Sequence, residues 1–62
     1  MNKSKQFEDA VFITVDTASK LTNLGRNTVR RLAKESNSAR KIGKSFRINR
    51  QKLLEYVDSF EI

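Results

Sequence analysis

Gly25-Arg26-Asn27-Thr28-Val29-Arg30-Arg31-Leu32-Ala33-Lys34-Glu35-Ser36 is the stretch that decides how this chain folds. With successive helical side chains about 100° apart, Val29, Leu32, Ala33 and Ser36 share one face, and Asn27, Arg30, Arg31 and Lys34 share the opposite one. The spacing predicts a helix over Arg26 to about Ser36, closed by Asn37 in a left-handed conformation. Upstream, Val15, Ala18 and Leu21 recur at helical spacing. They predict a shorter helix over about Val15–Thr22, with Thr14 as its N-cap and Asp16 in the first turn, where the helix dipole favours negative charge. Asn23-Leu24-Gly25 interrupts the pattern, with Leu24 as the apolar plug of a tight turn. Two short helices joined by a glycine-containing turn read as a helix-turn-helix.

Working outward, Ala10-Val11-Phe12-Ile13-Thr14 is short, apolar and β-branched, and reads as a strand. On the other side, Ile42, Phe46 and Ile48 alternate with Lys41 and Arg47 around Gly43-Lys44, a Gly-X signal for a two-residue hairpin turn. That predicts a hairpin with its apolar face inward and Lys41 and Arg47 outward. Asn49 caps a last helix over about Arg50–Phe60, with Leu53, Tyr56, Val57 and Phe60 at i, i+3, i+4 and i+7; Tyr56 sits at a core position there and reads as packing. The expected fold is α+β: a winged helix-turn-helix with three helices and a small antiparallel sheet, in the order β-α-α-β-β-α. The first strand pairs with the hairpin, because a sheet of three strands is independently stable. The expected core is Val11, Ile13, Val15, Ala18, Leu21, Leu24, Val29, Leu32, Ile42, Phe46, Ile48, Leu53, Val57 and Phe60. Residues 10–62 form the domain and 1–9 a flexible tail.

Composition limits what such a domain can do. At 62 residues, folding buries only about 60% of the chain's surface, too little to shape a large active-site cavity beside a core. There is no histidine and no cysteine, so the commonest general base, the commonest metal ligand and all disulfides are missing. No Gly-rich phosphate loop occurs and the carboxylates are scattered, so no enzyme, cofactor or small-molecule ligand is expected. No apolar run approaches the roughly 20 residues needed to span a bilayer, and no signal-peptide core is visible. The expected location is the cytoplasm, on the bacterial nucleoid.

Charge supplies the positive indication. Residues 1–25 sum to zero; residues 26–52 carry ten basic side chains against Glu35 alone, a net +9; residues 53–62 carry −3. Segregation of this kind is the footprint of a polyanion partner, although a solvated basic surface kept for solubility is the plainer account. A helix fits the major groove of B-DNA. Asn27 and Arg31, one turn apart, are suited to adenine and guanine edges, and Thr28 to a thymine methyl or a phosphate. Arg26, Arg30 and Lys34 flank that line at phosphate positions, joined by Lys41 and Arg47 from the hairpin. Lys44 and Ser45, at the hairpin tip, are placed for a minor groove. Each feature has an ordinary alternative: a solvated helix face with an Arg31–Glu35 surface pair, and an edge hairpin guarded by lysine. The last helix packs under the sheet, and its acidic outer face (Glu55, Asp58, then Glu61) points away from phosphates. An RNA binder of the stacking type needs exposed aromatic rings, and only Phe7 is free for that role. A membrane-surface or partner-protein helix is the reading from another class.

These residues resemble a known family. Ile13-Thr14-Val15-Asp16-Thr17-Ala18-Ser19-Lys20-Leu21 is similar to the first helix of the winged-helix excisionases, relatives of the MerR regulators. Gly25-Arg26-Asn27-Thr28-Val29-Arg30-Arg31-Leu32 resembles their second helix, Ile42-Gly43-Lys44-Ser45-Phe46-Arg47-Ile48 their wing, and Asn49–Phe60 the segment after it. The likeness covers about residues 11–60. It implies a non-catalytic accessory factor that binds repeated sites in double-stranded DNA, bends them, and helps a tyrosine integrase excise a mobile element, alongside neighbouring copies of itself. By position it makes Asn27 and Arg31 major-groove readers and Lys44 the wing residue. Asn27 stands where relatives can carry glutamate, so the base preference there is not carried over. A small transcriptional regulator of a phage or mobile element, built on the same architecture, is the alternative.

Overall fold

The structure is a computed structural model describing residues 10–61. The tail at 1–9, Phe7 within it, and Ile62 lie outside the described residues. A two-residue strand, Phe12–Ile13 (β1), leads into helix Val15–Thr22 (α1). Helix Arg26–Glu35 (α2) follows, then strands Ala39–Ile42 (β2) and Ser45–Asn49 (β3), then helix Arg50–Asp58 (α3). The sheet is antiparallel with order β1-β3-β2. This is the winged helix-turn-helix arrangement, with β2 and β3 as the wing.

Local chemistry sets the helix ends. Thr14 Oγ1 accepts from the Thr17 amide at 3.1 Å and Asn49 Oδ1 from the Lys52 amide at 3.0 Å, so each side chain satisfies one orphan donor of its helix. Asn37, at φ 58°, ends α2. The Ser38 amide then reaches the Ala33 carbonyl at 2.9 Å and the Asn37 amide the Lys34 carbonyl at 3.2 Å, a Schellman closure. Asn23 ends α1 in the same left-handed region, at φ 59°. Between the helices, the Ser19 hydroxyl donates to the Leu24 carbonyl and holds the turn shut.

The core is formed by Ile13, Val15, Ala18, Val29, Leu32, Ala33, Ile48 and Leu53, with Leu21, Leu24, Phe46, Tyr56 and Val57 packed partly buried against it. Ile48 is central. It has no exposed surface and pairs with Ile13 on one side and Ala39 on the other. Ser38 is fully buried as well; its hydroxyl donates to the Ala33 carbonyl and meets that of Ser36, so the polar group is satisfied.

Three residues expected in the core are exposed: Val11, Ile42 and Phe60 keep 66%, 55% and 59% of their surface. Val11 precedes β1, beyond the end of the paired strands. Phe60 follows the last turn of α3 and is held only at the rim, edge-on to Tyr56 at 5.1 Å. Ile42 is displaced by hairpin register. A two-residue turn pairs Ile42 with Ser45 and Lys41 with Phe46, so the inward set changes parity across the turn. Lys41 therefore joins Phe46 and Ile48 on the face toward the helices. Ile42 joins Arg40 and Arg47 on the far face. The expectation of Ile42 inward and Lys41 outward is corrected on both counts.

Candidate nucleic-acid interface

The exposed side of α2 carries Asn27, Arg30, Arg31 and Lys34, all exposed, because Val29, Leu32 and Ala33 are turned into the core. The hairpin abuts one flank of this helix. The Arg30 guanidinium lies over the Phe46 ring of β3, 5.6 Å from its centroid, within cation–π range. Arg26, on the same flank, pairs with Asp16 of α1 at 2.7 Å, an exposed ion pair between the starts of the two helices. Lys41 shares the Phe46 side of the sheet, and Lys44 sits exposed in the turn, where Gly43 adopts φ 63°. The fold thus brings Arg26 and Arg30 of α2 together with Phe46 of the wing, and Lys41 stands directly across the sheet from Phe46. Among the described residues, Arg30, Lys34, Lys41 and Lys44 form no ion pair.

The other flank of α2 faces α3. There Arg31 Nη1 donates to Glu35 Oε2 at 3.0 Å, the surface pair that the i, i+4 spacing anticipates, and the Tyr56 hydroxyl donates to Glu35 Oε1 at 3.0 Å. That hydrogen bond to a carboxylate, then burial and the carboxylate's charge, raise the Tyr56 hydroxyl above its ordinary value of 10.0, against a smaller lowering by Arg31. The phenol is therefore a protonated donor throughout the neutral range. Thr28 is half-buried on this flank, in a groove it lines with Leu24, Arg31, Val57 and Phe60. Of the hairpin residues, Ser45 is half-buried. Arg47 lies on the sheet face away from the helices, across from Arg40, with Nη1 donating to the Phe46 carbonyl at 2.9 Å; the structure does not bring it beside Lys34.

Two partners were not apparent in the sequence. Phe46 reads as core and is also the seat of Arg30. Tyr56 reads as packing and also supplies a hydroxyl to Glu35. Neither has a local signal, since each contact joins elements distant in the chain. Glu55 and Asp58 on α3 are exposed. Among the described residues, no group of acidic residues is placed to hold a metal, and no helix is long and apolar enough to cross a membrane.

A family model described as a family of unknown function (DUF6462) matches residues 11–60. No curated protein and no solved structure matches the chain.

Proposed function

The chain belongs to the DUF6462 family, a family of unknown function, and from its own surface we propose that it is a sequence-specific double-stranded-DNA-binding module that acts by binding and not by catalysis. The observation that carries this is the seating of Arg30 on Phe46, which sets the basic face of α2 against strand β3 of the wing. On this reading α2 enters the major groove, with Asn27 and Arg31 toward base edges. Arg26, Arg30, Lys34 and Lys41 meet flanking phosphates, and Lys44 reaches the adjacent minor groove. Thr28, half-buried at the α3 flank, has the lesser part, and Arg47 supports the wing from behind.

Within that class, the resemblance of residues 13–21, 25–32 and 42–48 to winged-helix excisionases favours an accessory factor for integrase-mediated excision. It would bind and bend attachment-site DNA, in the cytoplasm, with a tyrosine integrase and neighbouring copies as protein partners. The fold serves a small transcriptional regulator equally well. Footprinting on DNA flanking the gene separates the two: repeated sites around an integrase attachment region support the first, a single operator the second.

The binding proposal itself is tested by salt. The four phosphate contacts together with Lys44 in the groove, about five cations in all, make log K fall with log salt at a slope of roughly −4 to −5. Lys34→Ala should reduce that slope by about one and weaken all duplexes alike. A flat response refutes the proposal.

A further inference from the structure

Glu35 is the only acid between positions 26 and 52, and it stands beside the surface read above as facing a polyanion. A carboxylate there opposes phosphate binding, so it needs a physical reason. Both its oxygens are occupied: Oε2 accepts from Arg31 Nη1 and Oε1 from the Tyr56 hydroxyl, each at 3.0 Å. An exposed i, i+4 pair alone is a loose restraint, because both side chains exchange with water. The tyrosine changes that. It comes from α3, and its ring is set edge-on to Phe60 at 88° between the planes. One carboxylate oxygen is thus anchored by a donor from a different element, and the other holds the arginine.

The atom that Glu35 engages also matters. With Nη1 committed, the Nε–H and Nη2–H edge of the Arg31 guanidinium stays open, and that edge presents two parallel donors. Guanine offers O6 and N7 as a matching pair of acceptors in the major groove. We propose that Glu35 and Tyr56 are positioning residues that fix Arg31 as a bidentate reader of guanine, so that the target DNA carries a G·C pair at the Arg31 position. This rests on the reading of α2 as a major-groove helix. The carboxylate also offsets the arginine's charge, so Arg31 contributes little to non-specific attraction and much to discrimination.

The test begins with wild-type protein selecting from a randomised duplex pool, followed by competition binding on the selected duplex with each G·C pair changed to A·T. Arg31→Ala should abolish the preference at one G·C pair, where a bidentate contact gives roughly tenfold discrimination or more. Tyr56→Phe keeps the ring and removes only the hydroxyl. It should cut the preference at that same pair by about three- to tenfold, leaving affinity for poly(dA·dT), which offers no O6/N7 acceptor pair, and the salt slope unchanged. Glu35→Gln should also cut the preference but strengthen poly(dA·dT) binding, since a negative charge is lost. That variant carries the test if Tyr56→Phe does not fold. If Arg31→Ala loses the preference while Tyr56→Phe and Glu35→Gln both keep it, the positioning role is overturned and the DNA-binding reading stands. If the wild type selects no sequence, both fall.

Discussion

Replacing Phe46 by leucine and Arg30 by methionine, singly and together, tests the contact that joins the wing to α2. The guanidinium carbon stands 5.6 Å from the ring centroid, and attraction to the ring face extends to about 6 Å. Arg30 is exposed, so the attraction belongs at the weak end of the range, about 0.5–1 kcal/mol. Neither single variant isolates it. Leucine removes the π-face but also alters the fit of a half-buried side chain, at a cost of up to about 1.5 kcal/mol. Methionine keeps an apolar stem and removes the charge. In the double-mutant cycle the packing changes cancel, leaving a coupling of about 0.5–1 kcal/mol. The assay is urea denaturation followed by far-UV circular dichroism, on a domain whose whole stability is about 3–9 kcal/mol. Duplex titrations add a second signature. Arg30→Met should reduce the salt slope by about one, whereas Phe46→Leu should lower affinity with the slope intact, because it frees the wing without removing a charge. Additivity within about 0.3 kcal/mol would show that the guanidinium does not rest on the ring in solution. The continuity of helix and wing would then have no support.

Ile48→Ala should cost about 2–5 kcal/mol, because Ile48 is fully buried between Ile13 and Ala39; thermal melts should show the folded baseline shortened or lost, and a cost below about 1 kcal/mol would refute the central place given to β3. Gly43→Ala should destabilise by about 1–2 kcal/mol, since φ is 63° while nothing lies within 4 Å of an added Cβ, so the cost is backbone strain alone. Gly43→Asn should restore much of that loss, as asparagine tolerates the left-handed region; equal melting points for the two variants would contradict this account.

Elements were readable wherever a local physical rule governs them. Thr14 and Asn49 are expected as N-caps and act as such, and α1 runs over Val15–Thr22 as its stripe predicts. Asn37 takes the left-handed closure expected of it. Ends were less readable. The last helix stops at Asp58 and not near Phe60, and the first strand shortens to Phe12–Ile13, where pairing with β3 stops. The error in the wing has one cause. Alternation counted straight through a hairpin ignores that a two-residue loop pairs i with i+3, so Ile42 and Lys41 exchange faces. Ser38 gives no sign of burial at all, because its partners Ala33 and Ser36 meet it only after the chain has turned. At the interface, the cationic residues of α2 were legible from their spacing. The Arg31–Glu35 pair was legible too, whereas the seat of Arg30 and the anchor of Glu35 were not, since they depend on Phe46 and Tyr56 arriving from other elements.

That difference bears on how such a surface would work. Under the proposed reading its cations are of two kinds. Lys34, Lys41 and Lys44 form no ion pair among the described residues, whereas Arg26 and Arg31 each hold a carboxylate, at 2.7 and 3.0 Å. An unpaired lysine keeps its full charge toward a distant phosphate and its full rotamer freedom, so it accelerates encounter and contributes to affinity for any duplex. A paired arginine exerts less long-range attraction but has surrendered part of its freedom before binding, so less is lost when it meets a base or a phosphate. Lysines would then draw the protein to DNA, and Arg31 would decide where on it the protein stays. A basic patch made only of unpaired side chains would bind polyanions without discrimination. The carboxylate that holds Arg31, Glu35 at the end of α2, is what distinguishes this surface from such a patch.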